Sequence, residues 1–275
     1  MTKLDQMVNN NFHGKPEKKC KLLLDEFREM VQSSRKLTGY NLSDKLLFQF
    51  LRSRDFNQQE ALTILTNYLT IINERPDLFS WRDQLKEVAN AGIYVHYPIN
   101  NTNGSKIVII KPGQWDPSKI TFEQWFPQTL FFCEISLMDE SVRENGIIGI
   151  IDMRNLYWAQ IYHIGVSGSR LASHITDYCF PWTIQSAHLV YENRLTSMAF
   201  NLFKPFLSSK LRQRINFHGS NLETLYKFVP KSHLPPSLGG TNQEYSGEFY
   251  NNILEQNKQT VLDHWQSLRQ RKVSS

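Results

Sequence analysis

The sequence predicts an α/β protein in which a small helical bundle precedes a domain built on a mostly parallel sheet. In the N-terminal part of the chain, apolar residues recur at the spacing typical of packed amphipathic helices. Farther along, an apolar run at 147–151 is followed by a helical segment and by a second strand-like run at 183–190. This order of strand, helix and strand predicts parallel strands joined by right-handed crossovers.

Three short helices are predicted to form the bundle, and their ends carry recognisable signals. The helical segments are 17–33, 44–52 and 58–75. Ser43 is a suitable N-cap for the second helix. Asn57 followed by Glu60 resembles a capping box at the start of the third. Pro76 ends the third helix, because proline cannot continue its hydrogen-bond pattern.

A connection, a hairpin and a long helix are predicted next. We interpret residues 77–92 as the connection. Two β-rich runs, 92–99 and 106–111, flank Asn103-Gly104, a pair that suits a tight hairpin turn. The strongly apolar segment 121–143 predicts one long helix with a kink at Pro127.

The central strand of the predicted sheet begins after Gly146, which is expected to end the long helix. The run 147–151 shows no polar alternation, so both faces of that strand should be covered. The remaining predicted elements are strands at 183–190 and 215–217, helices at 222–228 and 249–268, and a basic tail at 269–272.

The composition is ordinary for a globular protein. Of the 275 residues, 40% are hydrophobic and 21% are charged, which allows a sizeable core. No apolar run approaches the ~20 residues of a membrane span. The polar start lacks the apolar stretch of a secretory signal, so we expect a cytoplasmic protein. Cys20, Cys133 and Cys179 are odd in number and far apart, which argues against a disulfide framework and a metal-ligand pair.

The sequence contains little that suits catalysis or nucleic-acid recognition. The segment 165–169 resembles a nucleophile elbow, but it has serine where the second glycine is required and lacks the preceding strand. His163, His174, His188 and His218 are scattered without metal-ligand spacing, and His188 is better explained as a hydrogen-bonded core residue. No glycine-rich phosphate loop or nucleic-acid motif is found. We therefore expect no enzyme activity, metal, cofactor or nucleic-acid partner.

Several short motifs follow one another in a fixed order and spacing between residues 43 and 240. They are FLRSRDF (50–56), NG (145–146) leading into ID (151–152), TDYCFP (176–181), HLV (188–190), KPFL (204–207) and RINFHG (214–219), closed by Pro230, LP (234–235) and GG (239–240). Each motif is weak alone. Together they resemble the CRAL-TRIO lipid-binding family, and within it the α-tocopherol transfer protein group.

The resemblance implies a CRAL-TRIO-type α/β domain with a mostly parallel sheet, one deep apolar pocket and a mobile gate helix. On this basis the chain divides into a tail and helical bundle at 1–80, a lipid-binding domain at 81–245, and a C-terminal amphipathic helix with a basic tail at 246–275. By motif position the gate lies at about 191–214.

The resemblance also implies which side chains line the pocket, between the sheet, the helix before it and the gate. They are Phe126, Thr129, Phe132, Cys133, Ile151, Ile164, Ile175, Tyr178, Phe180, Trp182, Ala187, Leu195, Phe200, Phe203 and Leu207. Taken one at a time, these residues fit an ordinary core better, so the prediction depends on the whole set. Enclosing a lipid would remove apolar surface from water at about 25 cal/mol per Å². Thr129 and Tyr178 would orient a polar group of the ligand.

Basic residues are concentrated in the gate, in a chain whose formal net charge is +5. Between Arg194 and Arg214 there are five basic residues and no acidic one, interleaved with large apolar side chains. Such a segment suits insertion at an anionic bilayer surface. It would equally suit a core-packed helix with a solvated rim. Pro205 should break the helix locally, which suits a moving part.

A basic cleft for anionic head groups is a further implication of the resemblance. We assign Arg54, Lys204, Lys210 and Arg214 to phosphoinositide or anionic-lipid binding. Two other positions that carry cations in the tocopherol-transfer relatives are Thr183 and Gln185 in this chain. Their loss predicts weakened selectivity for a bisphosphorylated head group, while general attraction to anionic lipid persists.

Two functions therefore compete. The first is a cytoplasmic carrier, peripheral and reversible on membranes, for a small isoprenoid-like ligand such as tocopherol or a retinoid. The second is a phosphoinositide- or membrane-reading regulatory module, related to trafficking or small GTPases, without carrier activity. Both are expected of a monomer whose partners are a small hydrophobic ligand and an anionic membrane surface, phosphoinositides included.

Overall fold

Residues 17–269 are described by a computed structural model. The predicted tail at 1–16 and residues 270–272 of the predicted basic tail lie outside the described residues. Within the described part of the chain, we find no helix with the length and apolar character needed to cross a bilayer.

The N-terminal helices begin where their caps predict. They are α1 (Glu17–Ser33), α2 (Asp44–Ser53) and α3 (Gln58–Glu74). Ser43 Oγ accepts a hydrogen bond from the backbone N–H of Leu46 at 3.3 Å, and Asn57 Oδ1 accepts one from the N–H of Glu60 at 3.1 Å. Both predicted caps are therefore confirmed.

A fourth helix, α4 (Gln84–Ala91), lies where the sequence was interpreted as a connection, so that interpretation is wrong. Its buried side chains include Leu85, Val88 and Ala89, all on one face. Eight residues make only about two turns, which is too short for a helical period to stand out. Gly92 ends α4 with φ +67°, a conformation that glycine adopts without strain.

The sheet has five strands in the order in which they occur along the chain. They are β1 (Tyr94–Asn100), β2 (Lys106–Ile110), β3 (Ile147–Asp152), β4 (Ile184–Val190) and β5 (Ile215–Phe217). β1 and β2 pair antiparallel, and the turn between them contains Gly104 at φ +81°. The other neighbours pair in parallel. The predicted hairpin and the mostly parallel sheet are confirmed.

Helices connect the parallel strands. They are α5 (Phe122–Met138), α6 (Glu140–Asn145), α7 (Trp158–Tyr178), α8 (Arg194–Phe203) and α9 (Ser209–Arg212), and α10 (Gly247–Arg269) follows the sheet. Each parallel crossover steps to the next strand in the same direction. Right-handed connections therefore place α5, α7 and α8 on the same face of the sheet.

The long helix predicted at 121–143 is two helices. The break is at Asp139, whose carboxylate accepts a hydrogen bond from the N–H of Ser141 at 2.9 Å and so caps α6. Pro127 lies inside α5 without ending it. The break at Asp139 was missed from the sequence, because a single capping side chain inside an apolar segment gives a weak signal.

The segment 165–169, whose sequence resembles a nucleophile elbow, lies inside α7. Gly165 interrupts the helix there, with φ 56° and ψ −169°. This backbone lies in a region open to glycine almost alone, so α7 consists of two helical halves joined at a kink.

The opposite face of the sheet is covered by the segment after β5. The ring of Phe228 lies 4.6 Å from the ring of His188, which is fully buried. His188 shares hydrogen bonds with Ser186 at 2.8 Å and with His218 at 2.9 Å. Burial, followed by repulsion from His218, lowers the pKa of His188 to about 4, so the ring is neutral at pH 7. The prediction of a hydrogen-bonded core histidine is confirmed.

A buried carboxylate ties the bundle to the rest of the molecule. Glu134 on α5 accepts hydrogen bonds from the Tyr68 hydroxyl of α3 at 2.5 Å and from the Trp265 indole of α10 at 2.9 Å. Burial raises the pKa of Glu134, and His264 on α10, 3.8 Å away, opposes that rise together with the two hydrogen bonds. Three helices distant in sequence thus meet at one polar point within an apolar core.

Candidate functional site

One face of the sheet has a half-buried centre formed by Gly149, Ile151 and Ala187, while Leu189 on the same face is buried. On β3, Gly149 and Ile151 share this face, and their partners on β4 are Ala187 and Leu189. A Cβ atom added at Gly149 would meet only one atom of the described residues within 4 Å, Ile151 Cδ1 at 4.0 Å. Close-packed interiors surround such a position with atoms. The space above Gly149 is therefore open.

Helix α8 covers this floor. Three of its apolar side chains, spaced three and four residues apart, pack against Ile151 and a small cluster on the chain that leads into α7. They are Leu195, Ala199 and Leu202, and the cluster is Met153, Leu156 and Ile161. This cluster is separate from the main core of the molecule. Phe200 adds an edge contact with Phe217 of β5, with ring centroids 5.3 Å apart. The cover thus packs on a cluster of its own, apart from the main core.

The predicted pocket residues fall into three groups by burial. The half-buried ones are Thr129, Ile151, Ile164, Ala187, Leu195, Phe200, Phe203 and Leu207. The fully buried ones are Phe126, Phe132, Cys133, Ile175, Phe180 and Trp182. Tyr178 is exposed and, with Trp182, lines a separate cleft. The half-buried group includes the floor residues Ile151 and Ala187 and the α8 residues Leu195 and Phe200.

Two neighbouring polar side chains on α5 lack partners. The Oγ1 atom of Thr129 is buried and has no hydrogen-bond partner among the described residues. Gln128 is fully buried, and within residues 17–269 neither of its amide atoms is paired. An unpaired buried polar group costs free energy unless something else bonds to it. Gln128 was not singled out from the sequence, because one amide in an apolar helix makes no pattern.

A cleft of about 430 Å³ opens where the bundle meets the C-terminal end of α7. It brings together Arg54, Lys210 and Arg214, three of the four residues assigned to anionic-lipid binding. Thr183 also lines it. Lys204, the fourth assigned residue, is exposed and is not part of this lining.

The two arginines of the cleft also hold the fold together. Arg54 donates to the carbonyl oxygens of Trp182 and Asp177, both at 3.2 Å, and Arg214 donates to the carbonyl of Ile184. Burial lowers the pKa of Arg54, but a guanidinium stays protonated in proteins. Both charges are therefore fixed in position, with part of their donor capacity already used by the backbone.

Acidic groups moderate the charge of the cleft. Glu60 and Asp177 line it, and Lys210 Nζ lies 3.8 Å from Asp55 Oδ2. The Asp177 carboxylate accepts hydrogen bonds from the backbone N–H of Ser208 at 2.6 Å and from its hydroxyl at 3.2 Å. This contact anchors Ser208, in the segment predicted to be the gate, to α7. The cleft is therefore mixed in charge.

Gln185 is the second position at which this chain lacks a cation that its relatives carry, and its side chain bonds to the end of α6. Gln185 donates through Nε2 to the carbonyl oxygen of Asn145 at 2.9 Å, at the end of α6. Its amide is neutral and engaged with the backbone. This neighbouring position therefore adds no charge to the cations of the cleft.

The comparisons with known proteins agree with this architecture. Residues 91–240 match the model of the CRAL/TRIO domain. The chain is 30% identical over 229 residues to a mouse (Mus musculus) protein named alpha-tocopherol transfer protein-like, covering 82% of this chain and 67% of that protein. It is 28% identical over 226 residues to clavesin-1 from Xenopus laevis, covering 81% of this chain and 68% of that protein.

A solved structure shows the same fold at low identity. The crystal structure of Sfh5 superposes with a TM-score of 0.57 at 14% identity, covering 89% of this chain and 97% of that one. From the matched domain and the relatives together, the chain belongs to the CRAL/TRIO domain family of lipid-binding and lipid-transfer proteins.

Proposed function

We propose that this protein is a cytoplasmic carrier that encloses one small hydrophobic molecule and exchanges it at membranes. The observation that carries the proposal is the opening at Gly149, where an added Cβ would meet only Ile151 Cδ1, on the face of the sheet against which α8 packs through Ile151. A concave, mostly apolar site with a few polar groups is the usual form of a small-molecule site. The relatives named alpha-tocopherol transfer protein-like support an isoprenoid-like ligand such as tocopherol or a retinoid.

The gate in this proposal is α8 with the turn that follows it. Pro205 lies in the short 3-10 turn Lys204–Phe206, so the helical hydrogen bonds end at Phe203. Lifting α8 separates its apolar side chains from Ile151 and uncovers the floor. In water that exposure is unfavourable. At a bilayer surface the same groups meet acyl chains, so opening costs less there and ligand exchange is confined to the membrane.

Exposed apolar side chains on and before α7 and on α8, two helices that pack on each other, support membrane contact. This docking surface consists of Tyr157, Trp158, Tyr162 and Val166 on and before the first half of α7, and Met198 on α8. Tyr162 is 82% exposed. Clustered exposed apolar groups mark interaction sites, and tryptophan and tyrosine favour the membrane–water interface.

The basic cleft supplies the electrostatic part of the proposal. Each cation near an anionic surface contributes about 1 kcal/mol of attraction. Arg54, Lys210 and Arg214 line the cleft, and Lys204, which is exposed, adds a fourth cation to the gate segment. The acidic lining and the uncharged Thr183 and Gln185 support weak selectivity among anionic head groups, bisphosphorylated ones included.

The second candidate function is the membrane-reading regulatory module, related to trafficking or small GTPases. The observation that favours it is the basic cleft, whose lining includes none of the floor residues Gly149, Ile151 and Ala187. A module of this kind has no use for open apolar space above Gly149, and we therefore prefer the carrier.

The double substitution Trp158→Asp and Tyr162→Asp should slow the transfer of an isoprenoid probe between vesicles at least about tenfold, since burying each aromatic side chain contributes roughly 1.5–3 kcal/mol. The assay follows retinol, by its own fluorescence, and a fluorescent tocopherol analogue, from donor to acceptor vesicles containing phosphatidylserine.

The matched control for this experiment is Leu22→Asp, which changes a 59% exposed apolar side chain on α1, away from the gate. This variant should transfer both probes at the unmodified rate. If the unmodified chain accelerates neither probe, the carrier proposal is wrong. If the double variant transfers both probes as fast as the control, the proposed docking surface does not contribute to membrane contact.

A further inference from the structure

The chain enters α8 through a residue in a disfavoured backbone conformation. Tyr191, directly after β4, has φ +56°. In this left-handed region the Cβ atom crowds the following carbonyl oxygen, and tyrosine has no short polar side chain to compensate locally. Such a conformation persists only where surrounding contacts impose it, and it often marks a moving part.

Backbone contacts fix one side of this residue. The N–H of Tyr191 donates to the carbonyl oxygen of Gly219 at 2.8 Å, and the N–H of Gly219 donates to the carboxylate of Glu192 at 2.8 Å. The start of the gate is thereby joined to the residues that follow β5. These bonds set the position of the segment.

A cation holds the other side. The guanidinium of Arg154 lies 4.3 Å from the centroid of the Tyr191 ring, within the range of a cation–π contact. Arg154 is itself held by the carboxylate of Asp152 at the end of β3, with Nε 2.9 Å from Oδ1, and by the carbonyl of Ser237 at 2.9 Å. The side chain of Asp152 is only 5% exposed. The cation is thus fixed by two separate parts of the domain.

We propose that Arg154 and Tyr191 form a latch that holds the strained start of α8 in the closed position. Loss of the contact lets Tyr191 relax to an ordinary negative φ, and that rotation moves α8 away from the floor. The break at Pro205 lets the far end of the helix follow. The proposal rests on the gate proposed above, and it adds the residues that set how often the gate opens.

Hydrogen exchange of the full chain, with no lipid added, tests the latch. Arg154→Gln should raise the exchange of the backbone amides at 192–207 several-fold, while the amides of β3 stay protected. The matched control is Lys258→Gln, which removes a cation–π contact of 4.2 Å between α10 and Trp81, in the segment before α4. It should leave the exchange at 192–207 unchanged.

A second pair of variants separates the strain from the ring contact. Tyr191→Ala and Tyr191→Gly both remove the ring, but only alanine keeps the strain. The alanine variant should therefore exchange at 192–207 about tenfold faster than the glycine variant, because the left-handed conformation penalises a residue with a Cβ atom.

Two results would overturn the latch: unchanged exchange at 192–207 in Arg154→Gln, or an increase spread equally over β3. If the Tyr191 variants do not fold, Arg154→Gln decides alone. The measurement needs no ligand. A chain that binds no isoprenoid but shows the predicted exchange would refute the carrier proposal and support the latch. A chain that binds an isoprenoid but shows unchanged exchange in Arg154→Gln would support the carrier and refute the latch.

Discussion

Replacing Gly149 with phenylalanine should leave the protein folded but nearly free of lipid. Gly149 has an ordinary strand backbone, so a side chain adds no strain there. The new ring would extend from a Cβ that, when added at Gly149, has only Ile151 Cδ1 within 4 Å. Ring and ligand cannot occupy the same volume. We expect the lipid recovered per chain to fall more than about tenfold, and the unfolding temperature to change by less than about 5 °C.

The graded control is Gly149→Ala, which adds one methyl group to the same space and should keep most of the lipid. Organic extraction of the purified variants, with quantitation per mole of chain, makes the measurement. If the phenylalanine variant still carries a full complement of lipid, the ligand does not occupy the space beside Gly149. A phenylalanine variant that unfolds would mean that the floor is already packed.

Replacing Gly146 with alanine should have the largest effect on stability, a loss of more than about 3 kcal/mol in the free energy of unfolding. Gly146 has φ 74° and ψ −159°, and an added Cβ would lie 2.2 Å from the carbonyl oxygen of Thr183. That oxygen accepts the N–H of Ile147 at 2.9 Å, which fixes the start of β3 beside β4. The clash cannot be relieved without breaking this bond.

The control for this substitution is Gly92→Ala, at φ +67° with no atom of the described residues within 4 Å of the added Cβ. It carries only the cost of the left-handed backbone, about 1–2 kcal/mol. Urea denaturation of both variants compares the two losses. Equal losses would show that the contact with Thr183 does not matter.

Features set by neighbouring residues were predictable from the sequence. Ser43 and Asn57 cap their helices as expected, because a cap depends on a side chain and a backbone amide two or three residues apart. The hairpin turn at Gly104 and the local break at Pro205 follow from backbone preferences of single residues. The motif order identified the family because it samples many such local features at once.

Features that depend on packing between distant segments were not predictable in this way. The run 147–151 indicates a strand covered on both faces, and nothing in its pattern shows that α8 packs against one of those faces through Ile151. Short elements were missed for another reason. α4 and the start of α6 at Asp139 extend over too few residues for periodicity to reveal them.

The charge balance of the cleft also could not be predicted from the sequence, because it depends on residues from distant segments. Arg54 and Arg214 were assigned to it by resemblance, but the assignment could not show that Asp177 and Glu60 line the same space. Nor could it show that both arginines bond backbone carbonyls. The contacts that support the proposed latch were equally invisible, because Arg154 and Gly219 are distant from Tyr191 in sequence and meet it only in the folded chain.

Native mass spectrometry of the full chain, purified without added lipid, is the most direct test of an enclosed and occupied interior. We predict a population in which each chain carries a single lipid molecule, and we predict that organic extraction removes this added mass. After extraction, added retinol or tocopherol should restore a complex of one molecule per chain. A chain that is recovered bare and takes up neither compound, while still binding vesicles, would contradict the carrier and favour the membrane-reading module.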